Sequence, residues 1–380
     1  MVSRDKLSCT LFQMIKDKNM KVNDTTSTLE HLPEPKPNQI GWPWTEQTHS
    51  AFEQTPEFSK WPRISVVTPS YNQCEFLEAT IRSVLLQNYP NLEYIVIDGG
   101  STDGSLEIIK KYERYLAYWI SEKDKGQSHA INKGFAIASG DILCWINSDD
   151  MLKPGSLHFV AQEIRETDEN KWLVGSSELI DDSGHHLRIR SPKDIKYENM
   201  FVWSMNWFPQ QSTFWTRYMW ESAGPLDEDL HFAMDFALWL SMFNYASPTV
   251  TDRVLSSYRR YEDCKSIQGA YKCWREQFSV SLQYIKSAPD NKSLRLALGI
   301  EALRRANRLI SLKEYYKGWQ FWIFSLRLYP QLLKDRDRIV EILVLLNSSL
   351  ILFPLSAMGG YGKYIFRQVR HVLSLGQLEQ

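Results

Sequence analysis

The chain has almost no net charge. Its 44 Lys and Arg stand against 45 Asp and Glu in 380 residues, a formal balance of −1. Nucleic-acid binding calls for a basic face to meet the phosphates, so this composition argues against that class of partner. Cysteine is scarce. Cys9, Cys74, Cys144, Cys264 and Cys273 are odd in number, and their spacings match no zinc or thioredoxin pattern. Cys144 lies in an apolar run and reads as a small buried thiol. Reduced thiols imply a reducing compartment, so a cytoplasmic location is expected. The Asn-x-Ser/Thr triplets at Asn23, Asn291 and Asn347 are then without consequence. No signal-peptide pattern opens the sequence. Long apolar runs are missing too. The best, "IVEILVLLNSSLILFPLSAMG", is broken by Glu341, Asn347-Ser348-Ser349 and Pro354, and is marginal against the ~20 residues a bilayer span needs.

What is present is a globular composition, 43% hydrophobic and 23% charged, long enough for a sizeable core and two domains. The 14 Trp and 18 Tyr suit sugar-stacking clefts and membrane interfaces as well as cores. Residues 1–40 are polar and proline-broken and read as a poorly ordered tail. Residues 41–62 read as an extended lead-in that docks Trp42, Trp44 and Trp61. From Ile64 strands and helices alternate. "ISVVTPS" is a β-branched run ended by a Pro-Ser turn, and "EFLEATIRSVLLQ" has helical spacing. "LEYIVIDGGSTDGS" is a strand, a glycine turn and a helix start with Thr102 or Asp103 as cap. "LAYWISE", "GQSHAINKGFAIAS" and "GDILCWINSDD" follow as strand, helix and strand. This alternation predicts an α/β fold, a mostly parallel sheet with helices on both faces.

Such a sheet opens a crevice at the C-terminal ends of its strands. The loops there carry Thr68 to Asn72, Asp98 to Ser101, Glu122 to Gln127, and Ser148-Asp149-Asp150. An Asp-Asp pair ending a core strand has two readings. It holds a hard cation together with substrate phosphates, or it is a solvated pair before the helix predicted for "MLKPGSLHFVAQEI". Further on, "DDSG" predicts a hairpin flanked by His185 and His186, whose turn position explains them better than metal binding does. From about Ile267 the pattern is helical.

"TPSYNQCEFLEATIRSVLLQNYPNLEYIVIDGGSTDGS" and "SEKDKGQSHAINKGFAIASGDILCWINSDD" together resemble glycosyltransferase family 2. The resemblance runs from about Ile64 to Ser266. It implies a GT-A fold and an inverting transfer of a single sugar from a nucleotide-sugar donor to a glycan or lipid-linked acceptor, as in cell-surface polysaccharide synthesis. It also implies a divalent cation, Mn2+ or Mg2+. By the same resemblance Pro69, Ser70 and Tyr71 close on the nucleobase, Asp98 reads the base edge, and Ser101 lies in the adjoining nucleotide loop. Lys125 and Gly126 approach the donor, Asp149 holds the ribose, and Asp150 is the metal ligand. Asp235 aligns with the family's catalytic base. Its neighbours Met234, Phe236, Leu238, Trp239 and Leu240 form an apolar setting that would raise its pKa, whereas Asp227, Glu228 and Asp229 beside Gly224-Pro225 read as a solvated turn. Trp239 falls on an apolar helical stripe and reads as core. Gln210 and Gln211 begin a loop that faces the acceptor in the family.

The chain departs from the family pattern in two places. His129 stands where an acid is common, and Tyr261 where a His often follows "YR". Arg259, Arg260 or Lys265 would then be left to hold the diphosphate, or would simply form a basic strand end. The processive Gln-x-x-Arg-Trp signature is absent. A sugar-phosphate nucleotidyltransferase is an alternative, but "TPSYNQCEF" lacks its Gly-rich basic loop. A non-catalytic glycan- or membrane-binding module is another. The expected organisation is a tail and lead-in over 1–62, a catalytic domain over 63–266 and a helical region over 267–380. That last region either packs as a core, which its interruptions favour, or rests its basic, aromatic surface on the inner face of the membrane.

Overall fold

The computed structural model describes residues 28–48, 61–164, 169–193, 195–204, 208–288 and 290–329. They fall into two compact units, one within residues 1–200 and 206–280, the other within 201–205 and 281–380.

The first unit is built on β1 (Ile64–Ser70), α1 (Cys74–Leu85), β2 (Leu92–Asp98), α2 (Ser105–Tyr112), β3 (Tyr118–Ser121), α3 (Gln127–Ile137) and β4 (Ile142–Trp145). The four strands are parallel, in the order β3-β2-β1-β4. Their register sets Ser70, Asp98 and Ser121 in one row, so three strands end at the same level and their loops open together. Every residue of β1 and β2 is buried, as a sheet covered on both faces requires. Val66 shares a core cluster with Leu77, Ile81 and Val84 of α1. Val67 points the other way, against α3, where a Cβ added to Gly134 would sit 2.4 Å from Val67 Cγ1. The alternation of strand side chains thus places helices on opposite faces.

Beyond β4 the sheet becomes mixed. The chain continues through β5 (Met151–Leu152), α4 (Ser156–Glu163), β6 (Trp172–Ile180), β7 (His186–Arg190), β8 (Thr213–Thr216), α5 (Arg217–Ala223), α6 (Met234–Met242) and β9 (Thr249–Arg259). The order extends as β4-β8-β6-β9-β5, with β7 paired to β6. The hairpin expected at "DDSG" is present as β6 and β7, with Gly184 at φ 88°. His186 Nδ1 lies 2.7 Å from Glu178 Oε1 and His185 bonds to Asp181, so both imidazoles have carboxylate partners. The helix expected from Met151 begins only at Ser156. Met151 and Leu152 instead pair antiparallel with Ser257 and Ser256, and Gly155 at φ 74° turns the chain into the helix.

The ordered lead-in starts earlier than residue 41. Leu32 is buried in the main core cluster. Buried Arg82 gathers this segment, donating to the carbonyls of Pro33, Pro43 and Trp44 at 2.7, 3.0 and 2.9 Å. A buried guanidinium needs such acceptors, and the lead-in provides them. Trp42 and Trp61 pack on the core as expected, and Trp44 packs on a smaller cluster. Residues 1–27 lie outside the described residues.

The second unit contains the helices Lys292–Ser311 and Tyr315–Leu328. They cross closely at Gly318, where a Cβ would lie 2.7 Å from Ile310 Cγ1. Trp319, Phe321 and Trp322 are buried within it, which agrees with packing for this aromatic stretch. Among the described residues no helix is long and apolar enough to cross a membrane. The run 339–359 lies outside them.

Candidate active site

A cleft of about 830 Å³ opens at the C-terminal ends of the parallel strands. Pro69, Ser70, Tyr71, Gly126, Asp149 and Asp235 line it. Residues separated by more than 160 positions therefore meet where sheet topology directs them.

The loops after β1, β2 and β3 are laced to each other. Asn72, at φ 51°, accepts the amide of Thr102 at 2.9 Å, and its own amide donates to Ser101 Oγ at 2.8 Å. Asp98 is fully buried and accepts from Gly100 N, Ser101 N, Ser101 Oγ and Ser121 Oγ at 3.1, 2.9, 2.5 and 2.6 Å. In this structure Asp98 and Ser101 brace the loop after β2 and do not line the cleft. Four donors converging on one carboxylate hold it in place. Gly99 and Gly100 let the next loop approach. A Cβ on Gly99 would stand 2.9 Å from Asp124 Oδ2, and Gly100, at φ 82°, lies against the backbone of Lys123. Lys125 is exposed and outside the cleft; Lys123 and Asp124 line it. Asp124 also accepts the amide of Gly126 at 2.8 Å.

Asp149 and Asp150 follow β4 and differ in exposure. Asp149 faces the cleft, and Asp150 is buried behind it. Asp149 Oδ2 accepts the hydroxyl of Tyr261 at 3.1 Å. Asp150 Oδ1 accepts the amide of Arg259 at 3.0 Å, and Asn147 Nδ2 lies 3.4 Å from its other oxygen. The Arg259 guanidinium donates to the carbonyls of Asp149, Asp181 and Asp182. It ties β9 to the hairpin and to the turn, and is buried away from any diphosphate. Burial raises the pKa of Asp149, and burial together with the Asp149 charge raises Asp150 well above the carboxylate range. The charge of Arg259 opposes both shifts without cancelling them.

Asp235 stands in the first turn of α6 and lines the same cleft. Its Oδ1 accepts the amide of Phe236 at 2.7 Å. Burial raises its pKa, opposed by that amide and by the charge of Lys265. The carboxylate of Glu276 fixes the segment just before it, accepting the amides of His231, Phe232 and Ala233 at 3.3, 2.7 and 3.0 Å. Trp239, on the same helix, is 1% exposed and stacks on Trp145 at 5.7 Å and 6°, so it belongs to the core. Asp227, Glu228 and Asp229 do not line the cleft.

A chain of amides crosses the floor. Lys265 Nζ donates to Gln127 Oε1 at 2.8 Å, Gln127 Nε2 to Asn147 Oδ1 at 2.7 Å, and Asn147 Nδ2 to Gln210 Oε1 at 3.2 Å. Gln210 closes the chain on the carbonyl of Trp145 at 2.8 Å. Of the three basic candidates, Lys265 alone lines the cleft. Sequence reasoning placed the loop of Lys123 and Asp124 at the crevice without singling those two out. Gln127 belonged to that loop too, but its partners Asn147 and Lys265, like the role of Asn147 itself, lie far along the chain and leave no local signal.

A family model described as "Glycosyl transferase family 2" matches residues 65–217. A Mycobacterium tuberculosis protein named as an uncharacterized glycosyltransferase is 32% identical over 180 residues, covering 46% of this chain and 66% of its own length. A Bacillus subtilis glycosyltransferase, TuaG, whose name provisionally assigns it to teichuronic acid biosynthesis, is 38% identical over 101 residues. That match covers 25% of this chain and 39% of TuaG. The chain thus spans no more than about two thirds of either relative. The crystal structure of Staphylococcus aureus TarS residues 1–349 with UDP-GlcNAc superposes with a TM-score of 0.51 at 17% identity, over 70% of this chain and 79% of that one. A likeness at that identity is one of fold, and it agrees with the GT-A architecture that the strand order and cleft present. The family match runs from β1 to the start of α5: over residues 65–217 the chain carries a family 2 glycosyltransferase domain.

Proposed function

We propose that the protein is an inverting glycosyltransferase that moves one sugar from a nucleotide-sugar donor to a hydroxyl of a glycan or lipid-linked acceptor. A catalytic domain over residues 63–266 would follow a lead-in over 1–62 and precede a helical region over 267–380. The observation that carries the reading is that Asp149 and Asp235 line one cleft together with residues of the loops after β1, β2 and β3. Pro69, Ser70 and Tyr71 would flank the base. Asp98 and Ser101 would shape the nucleotide loop from within, and Gly126 and Lys125 would border the donor. Asp149 would hold ribose hydroxyls, assisted by Tyr261. The name of the B. subtilis relative assigns that protein to teichuronic acid biosynthesis, which supports an acceptor of the cell-surface polysaccharide class here.

The acid pair suits a divalent cation. Two adjacent carboxylates have raised pKa values, and the one nearby guanidinium donates to carbonyls rather than to them. Among the described residues no group of three His, Cys, Asp or Glu stands ready for a metal, so an ion here would need phosphate oxygens as further ligands. Asp150 does not line the cleft, so holding the ion beside Asp149 would require its carboxylate to turn toward the cleft; a bound cation would offset the charge that develops on the leaving diphosphate. Asp235 would take the proton from the attacking hydroxyl, an effect of about a hundred- to ten-thousand-fold.

The test is a panel of nucleotide sugars incubated with Mn2+, with the anomeric configuration of the product read by NMR. Turnover of one donor with inversion, and its loss in Asp235→Asn with donor binding kept, is the expected result. Retention of configuration, or normal turnover by the variant, would remove the mechanism.

A further inference from the structure

The cleft wall formed by β9 continues onto a basic shelf. The register sets Tyr258 beside Leu179 of β6 and Leu179 beside Arg188 of β7. One pair along, Ser256 lies beside Ser177 and Ser177 beside Arg190. Residues paired across a sheet, and residues two apart on one strand, share a face. Tyr258, Arg188 and Arg190 therefore lie on the same face, and Arg260, just past the end of β9, is near enough for its charge to act on Arg190. That face is the one turned to the cleft. Tyr258 lines the cleft, and cleft-lining Gln211 donates to Ser177 Oγ at 3.0 Å.

The shelf gathers like charge. Burial, and then the charges of Arg188 and Arg260, hold the Arg190 guanidinium below its usual range. Among the described residues neither Arg188 nor Arg260 forms an ion pair. The acids of the neighbouring turn are otherwise engaged. Asp181 accepts from His185, and Glu178 binds Lys153 and His186. Arg188 and Arg260 place like charge beside Arg190, and a ligand with repeated negative charge relieves that cost. The shelf borders the acid pair: Arg260 stands between Arg259, whose amide bonds Asp150 and whose guanidinium bonds the hairpin carbonyls of Asp181 and Asp182, and Tyr261, whose hydroxyl bonds Asp149, so a glycan lying on it would reach into the cleft.

We infer that Arg188, Arg190 and Arg260 form a binding subsite for an anionic acceptor glycan, one whose units carry phosphodiester or carboxylate groups. The inference rests on the glycosyltransferase reading for the word acceptor, while the subsite itself is testable without donor. Binding of three oligomers is measured by intrinsic tryptophan fluorescence: a neutral glucan, an oligogalacturonate and an oligo(glycerol phosphate). The wild-type protein should bind at least one anionic oligomer about tenfold or more tightly than the glucan, and that affinity should fall steeply with added salt. Which anionic oligomer binds distinguishes carboxylate from phosphodiester. The Arg188→Ser/Arg190→Ser variant should lose that preference, and Arg188→Lys/Arg190→Lys, which keeps the charge, should retain part of it. Equal affinity of the wild type for neutral and anionic oligomers would overturn the inference. So would undiminished anion binding by a folded Ser variant, or by Arg260→Ser together with it. Wild-type nucleotide-sugar turnover, measured separately, reports on the glycosyltransferase reading alone.

Discussion

Asp235 and Lys265 show how single residues set the working range of the site. Burial raises the Asp235 carboxyl, and the nearby ammonium lowers it. A base acts when deprotonated, so activity should fall as pH drops through this raised pKa, above the usual carboxylate value of about 3.9. Lys265→Met removes the stabilising charge, so the acid limb of the pH–rate profile should move to higher pH. A limb that stays in place, or moves down, would show that Lys265 does not act on the base. The acid pair gives a second prediction with the opposite character. Asp150 has a folded-state pKa raised above its unfolded value, so ionising it costs stability as pH rises. Without divalent ions, Asp150→Asn should therefore raise the melting temperature at pH 8 by about 2–4 °C and less at pH 5. A fall in melting temperature at pH 8 would mean that the Asp150 charge is already compensated in the fold.

At the scale of elements, the strands that bury β-branched runs were legible. "ISVVTPS" and "LEYIVID" became β1 and β2 with all residues covered. The short strands were not. Met151–Leu152 and Thr213–Thr216 are too brief for periodicity, and they exist because of partners 105 or so and 40 or so positions away, at Ser257 and at Trp172 to Val174. The glycine turns were legible as turns but not as contacts. Gly100→Ala should cost about 1–2 kcal/mol because its φ is left-handed, and the added Cβ would press on Lys123 N at 3.2 Å. Chemical denaturation measures that cost; an unchanged midpoint would mean that the two loops yield freely. Glu276 acts through an element as well, by receiving three amides ahead of α6. Glu276→Ala should lower kcat about tenfold by misplacing Asp235, with donor affinity kept. A loss of donor affinity at constant kcat would assign Glu276 to the nucleotide instead.

Over the whole first unit, the cleft joins residues from Pro69 to Cys273, and legibility followed from how each residue is recruited. Asp149 and Asp235 come from motifs that carry their chemistry in local sequence, and both line the cleft. Asp98, Ser101, Lys125 and Asp150 come from the same motifs and stand behind it or outside it, because their orientation depends on neighbours such as Ser121 and Arg259. The Gln127–Lys265 bond spans 138 positions and leaves no local trace. The central claim is that the strand-end acid pair, with a divalent ion, holds the donor's diphosphate. Calorimetric titration of UDP and GDP into the wild type and Asp150→Asn, with Mn2+ and with chelator, tests it most directly. One nucleotide should bind only with the ion present, and at least about tenfold more weakly to the variant. Equal affinity with Mn2+, with chelator and in the variant would contradict the account.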